Sequence, residues 1–151
     1  MTAVVVRPLD DAEALADLAR DAEQDGHRMV SHLMGEWRDG SNRYSAPGEQ
    51  LYAAAIDDRI VGVCGLNIDP YAEAPAVGRV RHLYILQAHR RLGVGRQLVA
   101  AVLDAARGRF RCVRLRTTNP AAARLYESLG FRPSAGQPDC THLLESTVST
   151  P

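Results

Sequence analysis

Residues 83–96 constrain the fold of this chain more than any other segment, because a β-rich run there passes through a basic turn directly into a helix. Two glycines, Gly93 and Gly95, open a helical segment whose apolar periodicity extends to residue 106. The first backbone N–H groups of a helix have no intrahelical partner and lie at the positive end of its dipole. Glycine has no Cβ, so a ligand can approach this backbone closely. The segment therefore predicts a binding site for a phosphorylated ligand.

Three arginines, Arg90, Arg91 and Arg96, place positive charge around the same turn. The alternative is that Arg90 and Arg91 are solvated surface side chains that bind no ligand. Two common phosphate-binding motifs are excluded, which disfavours generic nucleotide binding. A dinucleotide fingerprint needs a third glycine where Leu98 stands, and a P-loop needs a Gly-Lys-Ser/Thr run that the chain lacks.

The length and composition predict one soluble domain. We expect residues 1–146 to form the domain and residues 147–151 to form a flexible tail. Basic and acidic residues balance at 18 each, which argues against nucleic-acid or membrane-surface partners. The three cysteines are far apart and predict reduced thiols rather than disulfides or a metal site. Since neither a signal peptide nor a membrane-spanning run is recognisable, the expected location is cytoplasmic.

Hydrophobic periodicity predicts a β-α-α-β-β-β-α-β-α-β order and a mixed α/β fold. The expected strands are residues 3–6, 51–56, 60–68, 79–86, 111–117 and 141–145. The expected helices are residues 12–22, 27–38, 94–106 and 120–129. Asn119 and Pro120 are a favourable N-cap and first position for the last of these helices.

Two segments together resemble the GNAT superfamily, the acyl-CoA-dependent N-acetyltransferases. Residues 90–95, Arg-Arg-Leu-Gly-Val-Gly, are similar to its R/Q-x-x-G-x-G/A signature. Residues 119–131 resemble its later motif, an Asn followed by a helix that ends Leu-Tyr-x-x-x-Gly-Phe. The resemblance is strong over about residues 80–131 and implies a single GNAT domain. Its sheet would be mixed, mostly antiparallel, of six or seven strands, splayed at the central strands and flanked by about four helices.

The resemblance also implies acetyl-CoA as co-substrate, with no metal. The pantetheine arm would contact Asn119 and the backbone of Leu83, Tyr84 and Ile85. The CoA pyrophosphate would be held by Arg90, Arg91 and the N–H groups of Leu92, Gly93, Val94, Gly95 and Arg96. Without the motif, Asn119 would be interpreted only as a helix N-cap.

Tyr126 would act as the general acid that protonates the departing thiolate. A thiol with a pKa of about 8.5 and a phenol near 10 are close enough for useful proton transfer. Direct attack by an amine requires no nucleophile from the enzyme. The alternative for Tyr126 is an ordinary core tyrosine on an apolar helix face.

The chain departs from the family pattern on the strand before the signature. Many members carry a Glu or His there as general base, whereas this chain has Arg79 and Arg81, and a guanidinium stays protonated. We therefore hypothesise that Arg79 or Arg81 binds an anionic substrate group such as a carboxylate. The alternative is that both are solvated or paired with Glu73 and Asp69.

The identity of the general base is left open. Side chains alternate between the two faces of a strand, so His82 should point away from the face that carries Arg79 and Arg81, unless a β-bulge intervenes. Water, Glu36 or an acceptor amine that is already deprotonated are the other candidates.

The acceptor is expected to be a primary amine of a small molecule or peptide. Its binding site would include Glu36 and Trp37 on the second helix, with the loops at residues 39–49 and 69–78. The neutral charge slightly disfavours a strongly cationic acceptor, and the oligomeric state is open between monomer and homodimer. A competing function is a non-catalytic acyl-CoA-binding module, which the missing strand carboxylate favours. Tyr126 and Asn119 favour the enzyme.

Overall fold

The computed structural model describes residues 3–72 and 74–145, which form a seven-stranded sheet with four α-helices. The strands are β1 (Val5–Leu9), β2 (Gln50–Ile56), β3 (Arg59–Ile68), β4 (Val77–Ile85), β5 (Cys112–Leu115), β6 (Arg132–Pro133) and β7 (His142–Glu145). The helices are α1 (Ala16–Gln24), α2 (Met29–Asp39), α3 (Val94–Ala106) and α4 (Pro120–Ser128). Short 3-10 turns occupy Ala12–Leu15 and Gln87–His89.

The sheet is mixed and opens at its centre. Its strand order is β1-β2-β3-β4-β5-β7-β6, in which β4 and β5 are parallel and the other neighbours are antiparallel. Only Val77, Gly78 and Arg79 of β4 pair with β5. Within the described residues, the rest of β4 has no strand on that side. The predicted mixed, mostly antiparallel, splayed sheet is therefore confirmed.

Helices cover both faces of the sheet. On β3, Gly62 pairs with Ile85, and a Cβ at Gly62 would lie 2.9 Å from Leu98 of α3. The next residue, Val63, pairs with Tyr84, whose hydroxyl contacts α1. Because successive strand residues face opposite sides, α3 covers one face and α1 the other. The core between these layers consists of fully buried apolar side chains, including Leu18, Leu33, Val63, Leu98 and Val102.

Local sequence signals account for the start of α4. The Asn119 side-chain oxygen accepts hydrogen bonds from the backbone N–H groups of Ala121 at 2.9 Å and Ala122 at 3.3 Å. Pro120 occupies the first helical position, where its missing N–H costs nothing. The predicted cap is confirmed.

Two strand predictions require correction. The first strand runs over Val5–Leu9 rather than residues 3–6, and it includes Pro8, which is paired with Tyr52. Proline is tolerated there because β1 is an edge strand with one side free of ladder bonds. The two-residue strand β6 was not predicted, since so short a segment has no detectable periodicity.

Some sequence predictions lie outside the described residues. These are the tail at residues 147–151 and the pairing of Glu73. Within residues 3–72 and 74–145, every helix is too short or too polar to cross a membrane.

Candidate active site

The turn between β4 and α3 presents free backbone N–H groups. Gly93 is the N-cap of α3 with φ of +81°, a left-handed conformation that glycine adopts without strain. The Gln97 N–H donates to the Gly93 carbonyl at 3.1 Å and so closes the first helical turn. The N–H groups of Val94, Gly95 and Arg96 precede that bond and have no intrahelical acceptor. The space beside the Gly93 Cα is empty to 4 Å, so an anion can approach them.

A groove leads from this turn along the splayed strands. The first cavity, of about 750 Å³, is lined at one end by the turn and at the other by Leu83, Thr117 and Asn119. These three residues also line a second cavity of about 310 Å³, whose far wall contains Tyr126. The glycine turn and Tyr126 therefore lie along one groove.

Most of the predicted cofactor residues line the first cavity. They are Leu83, Tyr84, Ile85, Arg90, Arg91, Gly93, Val94, Gly95, Arg96 and Asn119. Leu92 does not line it, because its side chain is 63% exposed at the outside of the turn. Sequence reasoning missed Thr117 and Ala122. The position of Thr117 at the end of the predicted strand, directly before the motif asparagine, was the available signal.

The arginines of the turn differ in their partners. Arg90 Nε donates to the Ile85 carbonyl at 3.1 Å, and its Nη2 donates to Asp25 Oδ2 at 2.8 Å. Its guanidinium also lies over the Tyr84 ring, 5.2 Å from the centroid. Arg90 thus ties the turn to the end of α1. Arg91 is exposed and forms no side-chain hydrogen bond with any described residue, so its charge is available to a ligand.

Arg96 lies in the first turn of α3, next to the free N–H groups. Its Nη1 donates to the Ser128 hydroxyl at 3.1 Å, which joins α3 to the end of α4. A hydroxyl carries no charge, and Arg96 forms no ion pair with a residue that the structure describes, so its positive charge is available to a ligand.

Tyr126 lies on the apolar face of α4, where it is packed among buried side chains. Its side chain is 6% exposed, and its ring packs edge-on against Phe131 with centroids 5.6 Å apart. Burial raises the pKa of Tyr126 well above its usual range, and the nearby Cys64 adds to the shift. The phenol is therefore protonated throughout the neutral range. Within the described residues its hydroxyl forms no hydrogen bond, although it borders the second cavity.

Cys64 does not supply a nucleophile to this site. Its side chain is fully buried in β3, and burial raises the pKa of the thiol to about 12. Since the thiolate is the reactive form of cysteine, this residue is inert at neutral pH.

A β-bulge in β4 brings His82 into the site. Val63 pairs with Tyr84 and Gly65 pairs with Arg81, so two residues of β4 lie opposite the single residue between them on β3. His82 has φ of +60° and lines the second cavity. Burial lowers the pKa of His82 to about 3, helped by the charges of Arg81 and His32. The imidazole is therefore neutral at neutral pH. The β-bulge that allows His82 to face the site is present.

Comparison with known proteins identifies the family. The profile of the Acetyltransferase (GNAT) family matches residues 12–131. This chain belongs to the GNAT family.

Curated proteins are similar in sequence to this GNAT protein. It is 36% identical over 98 residues to the aminoglycoside N(6')-acetyltransferase type 1 of Klebsiella aerogenes, a match that covers 60% of this chain and 64% of that one. The chain spans between 39% and 64% of the length of the curated relatives it matches.

Two solved structures have the same fold. A protein of Exiguobacterium sp. 255-15, assigned as an acetyltransferase, superposes with a TM-score of 0.82 at 22% identity, covering 95% of this chain and 93% of that one. yncA of Salmonella typhimurium, also assigned as an acetyltransferase, was solved with its cofactor acetyl-CoA. It has a TM-score of 0.72 at 17% identity and coverage of 99% and 98%.

The structure separates the two arginines at which this GNAT chain departs from the family pattern. Arg79 Nη1 lies 3.5 Å from Asp69 Oδ2, and the side chains are 8% and 0% exposed. Arg114 Nε lies 3.3 Å from the same oxygen. Arg79 also donates to the Asp139 carbonyl at 2.8 Å and lies over the Tyr71 ring. The predicted alternative, pairing with Asp69, is therefore observed for Arg79.

A third cavity, of about 770 Å³, adjoins the site on the side of α2. Glu36 and Arg81 line it, and Arg81 also lines the second cavity. Trp37 lies outside the walls of all three cavities, packed against the core with the Arg43 guanidinium 5.6 Å from its ring centroid. This placement supports a packing role for Trp37 and not the predicted contact with substrate.

Proposed function

We propose that this GNAT protein transfers an acetyl group from acetyl-CoA to the primary amine of a small molecule or peptide. The observation that carries this proposal is the pair of cavities that share lining residues, one lined by the Gly93 turn and the other by Tyr126. The first suits a diphosphate and the second suits a reacting thioester. The cytoplasmic location and the monomeric or homodimeric state expected from the sequence remain part of this proposal.

The residues along the groove fit acetyl-CoA. The N–H groups of Val94, Gly95 and Arg96 would bind the diphosphate, with Arg91 adding charge. The edge of β4 that the splay leaves unpaired would accept the amide groups of the pantetheine arm as an added strand. The side-chain oxygen of Asn119 is engaged in capping, so its amide NH₂ is the group that would contact the arm. The yncA structure, which has the same fold, was solved with acetyl-CoA, and this supports acetyl-CoA as the co-substrate.

In the proposed reaction the amine nitrogen attacks the thioester carbonyl directly. The C–N bond forms, the C–S bond breaks, and the Tyr126 hydroxyl protonates the departing sulfur. The attacking nitrogen releases its surplus proton to water, and the Tyr126 phenolate takes a proton back from water, which restores the hydroxyl. Burial weakens Tyr126 as an acid, but it also makes a thiolate in the same cavity more basic, because both anions lose hydration. Because both pKa values shift in the same direction, they stay closer together than the shift of Tyr126 alone would place them.

The acceptor would react as the neutral amine. Because burial lowers the pKa of His82 to about 3, this imidazole is a poor acceptor of the ammonium proton. Glu36 lines the third cavity and not the one that contains Tyr126. These placements favour proton loss to water.

Release of free thiol from acetyl-CoA in the presence of an amine panel tests the proposal. Tyr126→Phe should lower kcat by about 10²- to 10⁴-fold, because it removes the proton donor while keeping the ring. Tyr52→Phe is the matched control, since Tyr52 lies on β2 away from all three cavities. Turnover by Tyr126→Phe at the wild-type rate would exclude the acid role.

A non-catalytic acyl-CoA-binding module is the second candidate. It is favoured by one observation, the presence of arginine at both strand positions where a carboxylate or imidazole base is common. A module of this kind would be stabilised against heat by CoA, more than by ATP or NAD, and would release no thiol with any amine. The enzyme would show both the stabilisation and the turnover.

A further inference from the structure

We propose that Arg81 selects acceptors that carry a carboxylate close to the reacting amine, such as free amino acids. This inference rests on the proposed acetyl transfer and names its class of acceptor. It depends on the contrast between Arg81 and Arg79 and on the charges that line the third cavity.

Arg79 is already paired with other groups of the protein. Its guanidinium contacts the buried carboxylate of Asp69, the carbonyl of Asp139 and the ring of Tyr71. With its side chain only 8% exposed, it has little contact with solvent. Arg79 also lines the cavity that contains Tyr126, but its charge is already paired with Asp69, so it is the weaker anchor for a substrate anion.

Arg81 has the opposite character. It forms no hydrogen bond and no ion pair with any described residue, and its side chain is half-buried. It lines both the cavity that contains Tyr126 and the larger cavity beside α2. A group bound to Arg81 would therefore lie at the junction through which the acceptor amine must reach the thioester.

The remaining charges of the third cavity leave few alternatives. Glu49 accepts hydrogen bonds from the backbone N–H groups of Ala46 and Ile68 and from the side chain of Asn67. Arg43 donates to the carbonyls of Trp37 and Arg38. The side chains of Glu49 and Arg43 therefore help to hold the loop at residues 39–49 in place.

Glu36 is the other lining charge that forms no hydrogen bond or ion pair with any described residue. Of the charged residues described in this cavity, only Arg81 also lines the Tyr126 cavity. Glu36 and Arg43, whose hydrogen bonds go to neutral carbonyls, line the third cavity and not that one.

This distribution favours a carboxylate near the reacting amine. A guanidinium binds a carboxylate through two parallel hydrogen bonds, and the pair is strong where water is scarce. Arg81 is half-buried, which limits the water around its guanidinium. An amine without an anionic group would approach an uncompensated positive charge. An amino acid would neutralise it and place its amine within a few bonds of Arg81.

The test compares amino acids with the corresponding amino-acid amides as acceptors. Rates are expressed per concentration of neutral amine, because loss of the carboxylate also lowers the pKa of the amine. Wild type should prefer the amino acids, and Arg81→Gln should raise their KM by about 10- to 100-fold with less than about a threefold effect on the amides. Arg81→Lys should recover part of the loss, since it keeps the charge without the bidentate geometry.

Arg59→Gln, at the exposed start of β3, removes the same charge away from the cavities and should leave both KM values unchanged. Equal stabilisation of all variants by CoA would show that the cofactor groove is intact. Equal use of amino acids and amides by wild type, or an equal effect of Arg81→Gln on both, would overturn the inference. A preference for aminoalkyl phosphates over amino acids would overturn the assignment of carboxylate.

Failure of the proposed function is distinguishable from failure of this inference. If no amine accepts acetyl groups although CoA binds, the transferase proposal fails by itself. Calorimetric binding of amino acids and amides to wild type and Arg81→Gln then decides the inference. Weaker binding of amino acids alone to the variant supports it, and equal binding of both ligands to both proteins contradicts it.

Discussion

The hydroxyl of Tyr84 on β4 donates a hydrogen bond to Oδ2 of Asp21 on α1 at 2.5 Å. The same oxygen accepts the backbone N–H of Gln87 at 3.0 Å, two residues after β4 ends. The Asp21 carboxylate therefore links α1 to β4, which lines the groove, and to the 3-10 turn that precedes the glycine turn. Burial raises the pKa of Asp21, but the hydrogen bonds from Tyr84 and Gln87 outweigh it and leave the pKa below its usual range.

Asp21→Asn and Tyr84→Phe should each lower the free energy of unfolding at pH 7 by about 1–2 kcal/mol, because each removes a charge-assisted hydrogen bond. The double variant should lose less than the sum. Since the folded pKa of Asp21 lies below the unfolded value, its contribution is complete above about pH 4 and declines as the pH falls through the folded pKa. Urea unfolding at several pH values measures this. A penalty for Asp21→Asn that grows below pH 4 would contradict the assignment.

Two glycines at opposite ends of α3 offer a matched test of the phosphate site. Gly93 and Gly108 both have φ of +81° with open space around the Cα. Gly93→Ala and Gly108→Ala should each cost about 1–2 kcal/mol of stability, because alanine is strained in the left-handed region. Only Gly93→Ala should raise the KM for acetyl-CoA, since its Cβ would intrude where the diphosphate binds. A similar KM change in both variants would place the diphosphate elsewhere.

The Asp69 carboxylate should be essential for stability. Asp69→Asn leaves the buried guanidinium groups of Arg79 and Arg114 without a counter-charge, and we expect a loss of about 3–5 kcal/mol. Asp104→Asn is the matched control, because it breaks an exposed pair with Arg107 and should cost less than about 1 kcal/mol. Chemical denaturation of both variants makes the comparison. Similar losses would mean that Asp69 does not compensate the two arginines.

His82 should make the protein sensitive to mild acid. Its folded pKa is about 3, whereas an unfolded histidine titrates near about 6.5, so between these values the unfolded state binds more protons. Stability should therefore fall as the pH drops below about 6.5, by up to about 1.4 kcal/mol per pH unit. His82→Gln should remove this component, and the exposed His27→Gln should not. Identical pH–stability curves for His82→Gln and wild type would refute the buried neutral imidazole.

The pH dependence of kcat/KM should follow the acceptor. His82 titrates far below neutral pH and the pKa of Tyr126 is raised by burial, so neither should produce a limb between about pH 6 and 10. The rate should rise with pH up to the pKa of the free amine. Acceptors whose amines differ in pKa should shift the limb by the same amount. A limb at one pH for every acceptor would instead indicate a base supplied by the protein.

Local chemistry explains which features could be predicted. The capped start of α4 depends on Asn119 and Pro120 alone, and the turn at Gly93 depends on a conformation that few other residues adopt. Neighbours in the chain supply these interactions, so the sequence contains them directly. The predicted first strand ended before Pro8, whereas β1 includes it. A strand accommodates proline only where the side that lacks the N–H donor is unpaired, and the sequence alone does not show which side that is.

Long-range partners explain what could not be predicted. Arg79 and Arg81 are equivalent along the strand, and only the arrival of Asp69, Arg114 and Asp139 from other segments makes one structural and leaves the other open. Arg90, in the same way, is tied to Asp25 across 65 residues of chain.

By itself, then, the sequence determined the order of elements other than β6, the glycine turn before α3 and the helix that carries Tyr126, because short-range periodicity and capping specify each of them. Only the tertiary structure decided that a bulge turns His82 into the site and that Arg81 has no charged partner there among the described residues. The physical reason is that strand register and ion pairing are properties of segments in contact, and neither exists until the sheet has formed.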